Sequence, residues 1–143
     1  MNNLVSLARE DREIQQCFDV MAELRPHLRR EEFVARVRRQ HAESGYELAY
    51  LAEESVKAVA GFRISECLAW GKFLYVDDLV ACSEDRSKGF GGVLFDWLVA
   101  HARAQRCNEF HLDSGVQRFH AHRFYLNKRM IIEAHHFGLK LNP

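Results

Sequence analysis

The residues with the clearest chemical meaning form a short glycine-rich turn, Arg86-Ser87-Lys88-Gly89-Phe90-Gly91-Gly92. A run of strand-forming residues precedes this turn, and an amphipathic helical pattern follows it. The start of a helix leaves backbone N–H groups unpaired and carries partial positive charge, and glycine allows an anion to approach them closely. We therefore predict a diphosphate site here. On spacing alone, a loop that merely turns the chain remains the alternative.

Two familiar phosphate motifs do not fit this turn. A P-loop requires G-x-x-x-x-G-K-[ST], whereas Lys88 precedes the glycines and no serine or threonine follows them. A dinucleotide fingerprint requires G-x-G-x-x-G, and here Leu94 stands where its last small residue should be. The diphosphate is therefore expected to belong to a different class of ligand, and an unrelated nucleotide binder stays a further alternative.

Two adjacent acids, Asp77 and Asp78, interrupt an apolar strand over residues 73–81. Because successive side chains of a strand point to opposite faces, we expect the two carboxylates on opposite faces, with Asp77 beside Tyr75 and Leu79. Carboxylates in such a strand are costly unless they meet a cleft or a partner. Asp77 is thus a candidate base, directly or through a water; a salt bridge or a solvated pair is the alternative.

No pattern of metal ligands is visible. His120 and His122 do not face each other on a helix, and His135 and His136 diverge on a strand. The four cysteines are widely spaced without a C-x-x-C pair, which favours free thiols in a reducing cytoplasm. We therefore predict no metal site and a cytoplasmic protein.

Hydrophobic periodicity predicts the elements that must position the turn. A strand over 4–7 is followed by a helix that Asp11 can cap and that runs to Leu24, and then by a second helix that carries Phe33, Val34 and Val37 and stops at Gly45. Strands follow over 46–52, 56–64 and 73–81, then a helix over 93–106, a strand over 110–113, a helix over 120–128 and a final strand over 131–141. The order β-α-α-β-β-β-α-β-α-β predicts an α/β fold with a mixed sheet, as a single domain over residues 1–143.

Bulk properties exclude several classes of function. Twenty basic and twenty acidic residues give a net charge of zero, which argues against a general nucleic-acid binder. No apolar run approaches the ~20 residues that span a bilayer, and the first ten residues do not resemble a secretion signal. We expect no nucleic-acid partner and no membrane partner.

Together, these motifs resemble the Gcn5-related N-acetyltransferase (GNAT) family. Leu79-Val80-Ala81 followed by residues 86–91 is similar to the family signature R/Q-x-x-G-x-G/A after a strand, and the similarity continues through residues 94–98, 110–113 and Phe124-Tyr125. The resemblance implies a central mixed, mostly antiparallel sheet of about six to seven strands flanked by about four helices. It also implies direct transfer of an acetyl group from acetyl-CoA to a primary amine of a small molecule or protein.

The resemblance further implies the roles of individual residues. The backbone of Leu79, Val80 and Ala81 would pair with the pantetheine arm of acetyl-CoA, and an N–H near Val80 would polarise the thioester carbonyl. The pyrophosphate would lie at Arg86, Ser87, Lys88, Gly89, Phe90, Gly91 and Gly92. Tyr125 would give a proton to the departing thiolate, and Asp77 stands where family members often place an acid or histidine near the amine. In the family the region between the first two helices covers the acceptor site, so Glu31, Glu32 or Glu43 are candidates to bind a cationic substrate.

The chain also departs from the family pattern. Arg118 stands where the family commonly has asparagine, and Arg129-Met130 replaces a Gly-Phe pair that ends the helix, which suggests a different helix exit. A non-catalytic acyl-CoA-binding module is the alternative function. The identity of the acceptor does not follow from the sequence, and a homodimer is possible through an exposed final strand.

Overall fold

Five strands form one sheet whose spatial order follows the order of the chain. In this computed structural model, which describes residues 4–86 and 88–142, the strands are β1 (Val5–Leu7), β2 (Glu47–Ala52), β3 (Val56–Cys67), β4 (Gly71–Ala81) and β5 (Glu109–Leu112). The pairs β1–β2, β2–β3 and β3–β4 are antiparallel. The predicted α/β fold is confirmed, with five strands instead of the expected six to seven.

The helices follow the predicted order with one difference near the N-terminus. They are α1 (Asp11–Gln16), α2 (Phe18–Leu24), α3 (Phe33–Ser44), α4 (Phe90–Ala104) and α5 (Phe119–Asn127), with 3-10 turns at Arg30–Glu32 and Ser83–Asp85. The predicted single helix from Asp11 to Leu24 is broken at Cys17. Its N-cap is Glu10 and not Asp11, because Glu10 and Glu13 form a reciprocal capping box. Among the described residues, no helix has both the length and the apolar character needed to cross a membrane.

The core lies on both faces of the sheet. On one face, Leu48, Val59 and Val80 form a buried cluster with residues of α1, α2 and α3. On the other face, the fully buried Phe62 makes edge contacts with Trp97 and His101 of α4. This two-sided burial explains why β3 is apolar at nearly every position in its first half.

Contact density divides the chain into two compact units, residues 1–111 and 112–143. The first unit holds α1–α4 and almost the whole sheet, and the second holds α5 and the residues that follow it. The prediction of a single domain over residues 1–143 stays a prediction.

The predicted final strand over 131–141 is wrong. Residues 131–140 have no regular secondary structure, and every residue from 131 to 142 is exposed. The alternation of Phe137, Leu139 and Leu141 with Gly138 and Lys140 is typical of a strand, but a strand requires a second strand to satisfy its backbone groups. Within the described part of the chain this segment has no such partner.

Candidate functional site

The glycine turn lies at the start of α4, as the sequence predicts. Gly89 is the N-cap residue with φ of +86°, a left-handed conformation that glycine adopts without strain. The first helical hydrogen bond runs from the Val93 amide to the Gly89 carbonyl at 3.1 Å. The amides of Phe90, Gly91 and Gly92 precede it, and the N-cap residue, being glycine, has no side chain with which to cap them. These three N–H groups have no hydrogen-bond acceptor among the residues that the structure describes, and they form a donor set with a favourable helix dipole.

The start of α4 lies against the end of β4. A Cβ atom added to Gly91 would be 3.9 Å from the Cβ of Ala81, which is ordinary van der Waals contact. Ser87, which the sequence assigns to the pyrophosphate site, lies outside the described residues. The donor set is thus placed beside the last residue of a central strand.

A buried carboxylate that sequence reasoning missed, Asp85, organises this turn. Its side chain accepts from Lys88 Nζ at 3.0 Å and from Lys57 Nζ, on β3, at 3.2 Å. Hydrogen bonds from Lys88 and then Lys57 hold the pKa of Asp85 below its ordinary value. The ammonium of Lys88 is therefore committed to Asp85, and Arg86 Nη2 lies 3.5 Å from Glu23 Oε1. The sequence does offer a sign of this role, because Asp85 directly precedes the basic and glycine-rich residues of the turn.

Among the described residues, no strand covers the second backbone edge of β4 next to this turn. Residues 79–81 pair on one side with Ala58, Val59 and Ala60 of β3. On the other side, Asn108, the residue just before β5, contacts the start of β4, where its amide donates to the Lys72 carbonyl at 2.6 Å. β5 has four residues and spans about 13 Å, whereas residue 79 lies about 23 Å along β4 from residue 72. β5 is too short to cover residues 79–81.

The two acids of β4 lie at a β-bulge. Gly61 pairs with Asp78 and Phe62 pairs with Val76, so Asp77 is an extra residue in β4. The expectation that Asp77 and Asp78 point to opposite faces is wrong, because both line the same cleft. The bulge interrupts the strict alternation of the strand and turns the second carboxylate toward the first.

Both carboxylates have arginine partners. Arg63 binds Asp77 in a bidentate pair, with Nε to Oδ2 at 2.7 Å and Nη2 to Oδ1 at 2.9 Å. Asp78 accepts from Arg25 Nε at 2.8 Å and from the Tyr46 hydroxyl at 2.7 Å. Burial, and then the charge of Asp78, raise the pKa of Tyr46 well above its ordinary value, so this hydroxyl remains a donor. The salt bridge that we considered as the alternative role of Asp77 is present.

The cleft itself has a volume of about 530 Å³. One wall is the inner face of α3, which contributes Phe33, Arg36, Val37, Gln40 and Ser44 at helical spacing. The opposite wall includes the bulge of β4. Glu31, Glu32 and Glu43, the acids that we expected to recognise a cationic substrate, are not among the lining residues, and Glu31 forms an ion pair with Arg29 at 2.7 Å.

Tyr125 lies on α5 in the second unit. It is half-buried, its ring contacts Phe124 edge-on at 5.3 Å, and burial raises the pKa of its hydroxyl. The helix ends with the Met130 amide bonded to the Tyr125 carbonyl at 3.1 Å and the Arg129 amide bonded to Leu126 at 3.0 Å. Arg129 has φ of +72°. Arg129 thus adopts the left-handed conformation that usually belongs to glycine at this place, and the expectation of a helix exit different from that of the family stays a prediction.

Comparison with known proteins agrees with these features. The pattern of the acetyltransferase (GNAT) family matches residues 8–129. The uncharacterized N-acetyltransferase YhdJ of Bacillus subtilis (strain 168) is 33% identical over 114 residues, which is 79% of this chain and 80% of that protein.

Two solved structures show the likeness of fold. Glucosamine-6-phosphate N-acetyltransferase from Arabidopsis thaliana has a TM-score of 0.76 at 19% identity, over 96% of this chain and 99% of that one. Ribosomal-protein-alanine N-acetyltransferase from Brucella melitensis has a TM-score of 0.80 at 13% identity, with coverage of 96% and 99%. The family match and the YhdJ relative establish the lineage: this chain belongs to the acetyltransferase (GNAT) family.

Proposed function

We propose that this chain transfers an acetyl group from acetyl-CoA directly to a primary amine. The observation that carries the proposal is a continuous arrangement along β4. The unpaired amides at the start of α4 lie beside the end of the strand, its open edge follows at residues 79–81, and the cleft at Asp77 and Asp78 comes next. An anion, an extended arm and a reacting group arranged in that order match the shape of acetyl-CoA.

The proposed binding of acetyl-CoA uses mainly backbone groups. The pyrophosphate is held by the amides of Phe90, Gly91 and Gly92, with Arg86, Ser87, Lys88 and Gly89 forming the rest of the turn. The pantetheine arm pairs with Leu79, Val80 and Ala81 as an added strand would. Because Lys88 is held by Asp85 and Arg86 lies near Glu23, the amides supply most of the affinity for phosphate.

The proposed chemistry is attack of a neutral amine on the thioester carbonyl. The N–H near Val80 stabilises the oxyanion, Tyr125 gives its proton to the thiolate, and Asp77 takes the proton of the amine through a water. The bidentate pair with Arg63 makes Asp77 a weaker candidate for base than its position alone indicates. None of the residues lining the cleft is a cysteine, and burial raises the pKa of Cys17 to about 12, which favours direct transfer over a thiol intermediate.

The test combines binding and turnover. Acetyl-CoA and longer acyl-CoAs should raise the melting temperature, and an amine screen should release free thiol. Tyr125→Phe should lose turnover and keep coenzyme affinity, whereas the control Tyr50→Phe should keep both, since Tyr50 bonds to Glu13 on another part of the fold. Thermal protection by ATP or NAD and none by acetyl-CoA would contradict the proposal.

A non-catalytic acyl-CoA-binding module is the second candidate. Both carboxylates of the cleft already form an ion pair with an arginine, which makes each a weaker base and so favours this candidate. This candidate predicts tight coenzyme binding without thiol release for any amine, and an unchanged result for Tyr125→Phe.

We also propose a cytoplasmic homodimer that acts without a metal ion and without nucleic-acid or membrane partners. The four cysteines are free thiols, which suits a reducing compartment. The exposed residues Ile131, Ile132, Phe137, Leu139 and Leu141 form an extended apolar segment, and β5 is an edge strand of the sheet. Light scattering should give the mass of two chains. A molar mass of one chain, both for the full chain and after deletion of residues 131–141, would contradict the dimer.

A further inference from the structure

The charges that line the cleft do not cancel. Three guanidinium groups and two carboxylates face it. Arg25 is paired with Asp78 and Arg63 with Asp77. Within the part of the chain that the structure describes, the charge without an opposite partner in the cleft belongs to Arg36, on the wall formed by α3.

Arg36 also has an unsatisfied hydrogen-bond donor. Its Nε atom is buried and has no hydrogen-bond partner among the described residues. A buried donor on a charged group is costly when it has no acceptor, and a planar carboxylate satisfies a guanidinium with two parallel hydrogen bonds. Arg38, two residues further along α3, instead binds Asp11 and points elsewhere. Arg36 is therefore suited to bind an anion that enters the cleft.

The rest of the cleft limits the size and character of that anion. Its volume of about 530 Å³ is that of a small-molecule pocket. The buried side chains of Met21, Phe33 and Val37 give it an apolar wall beside Arg36. Because Asp78 and Asp77 already neutralise Arg25 and Arg63, the cleft has one positive charge to offer, which a monoanion matches and a dianion exceeds.

We propose that the acyl acceptor is a small amino-acid-like molecule with a primary amine, an apolar body and one carboxylate, which Arg36 binds. This inference rests on the proposed acetyl transfer and adds the class of acceptor to it. The carboxylate lies at α3, and the amine faces the opposite wall at the bulge of β4, from which the open edge at residues 79–81 leads to the coenzyme turn. Arg36 thereby determines specificity and takes no part in bond making.

The first test compares matched acceptors. Free apolar amino acids are screened beside their carboxamides, with thiol release as the readout, in wild type, Arg36→Gln and Arg39→Gln. Arg39 is the control, because it is exposed on the same helix and does not line the cleft. Wild type should prefer the acid. Arg36→Gln should raise the KM of the acid by about 10–100-fold, the size expected for a lost charged hydrogen-bond pair, and leave the carboxamide and acetyl-CoA unchanged.

A binding measurement separates failure of this inference from failure of the proposed function. Calorimetry with N-acetyl amino acids and their amides requires no turnover. If no amine releases thiol, the proposed acetyl transfer is wrong. The carboxylate site is still supported if wild type binds the acid and Arg36→Gln does not. The inference would be overturned if wild type turned over the acid and the carboxamide equally well, or if Arg36→Gln raised the KM of both by the same factor. Tighter binding of phosphoethanolamine than of β-alanine would also overturn it.

Discussion

Replacing Gly61 by alanine should destabilise the chain strongly, although the change adds only one methyl group. Gly61 lies on β3 opposite the bulge, and a Cβ atom there would lie 1.7 Å from the hydroxyl oxygen of Tyr46 and 2.3 Å from its Cζ. Tyr46 is 4% exposed and donates to Asp78 at 2.7 Å. The ring must move, and its hydrogen bond to Asp78 must break.

The cost has two parts. Overpacking a well-packed site costs about 1–3 kcal/mol, and losing a hydrogen bond to a charged group costs about 1.5–3 kcal/mol. Together these give an expected loss of about 2.5–6 kcal/mol, centred near 4 kcal/mol, in the free energy of unfolding. With a urea m-value of about 2 kcal/mol/M, the unfolding midpoint should fall by roughly 2 M.

Urea unfolding followed by circular dichroism measures this shift. Gly91→Ala is the matched control, because its Cβ would meet Ala81 at 3.9 Å, an ordinary contact, and it should change stability by no more than about 1 kcal/mol. In a Tyr46→Leu background, Gly61→Ala should cost clearly less, since the ring that it displaces is gone. A midpoint for Gly61→Ala within roughly 0.5 M of wild type would refute the reasoning, because such a shift is about 1 kcal/mol.

Four further predictions concern the turn, the proton transfers and the end of α5. Asp85→Asn should weaken acetyl-CoA binding in calorimetry. The lysine partners lower the pKa of Asp85, so the ionised carboxylate stabilises the fold above the ordinary pKa of 3.8, and this stabilisation is lost as pH falls toward the lower pKa of the folded chain. The melting temperature should therefore fall less steeply from pH 7 to 3 in the variant than in wild type. Parallel plots of melting temperature against pH would count against this role. Since burial raises the pKa of Tyr125, the kcat profile should show no alkaline limb below pH 10, its ordinary value, and Tyr125→Phe should lower kcat by about 100-fold; a limb near neutrality would exclude Tyr125 as the acid. If Asp77 is the base, Asp77→Asn should lower kcat by about 100-fold or more with acetyl-CoA affinity unchanged, and a loss of melting temperature with normal kcat would assign it to the Arg63 pair alone. Arg129→Gly should stabilise by about 1 kcal/mol in urea unfolding, because Arg129 occupies a left-handed conformation, and a loss of stability would show that its side chain makes a compensating contact.

Local signals in the sequence were enough to place the glycine turn at the start of a helix. The apolar helical pattern after Gly92 predicts a helix start at this turn, and the structure has the N-cap a few residues earlier, at Gly89. Periodicity likewise predicts β2, β3, β4 and α4 within a few residues of their bounds. These features depend on neighbours along the chain, which is why spacing alone identifies them.

Features that depend on distant residues were missed. The bulge at Asp77 is a property of the register with β3, and neither strand shows it in isolation. Arg25 reaches Asp78 across 53 positions of the sequence, so no local pattern announces the pair. The segment over 131–141 carries the alternation of a strand, but its state is decided by whether a second strand lies beside it. Arg129 shows the converse, since the sequence lacks glycine and the backbone adopts the glycine conformation nevertheless.

Direct acetyl transfer to an amine can be followed in a single turnover experiment. The purified chain is incubated with acetyl-CoA and a panel of primary amines, while free thiol is followed by absorbance and the amine by mass spectrometry. If the chain is this enzyme, thiol release should depend on the amine and should equal the amount of acetylated amine formed. Tyr125→Phe should abolish both. Coenzyme that binds tightly while no amine raises thiol release above the rate of hydrolysis would contradict acetyl transfer.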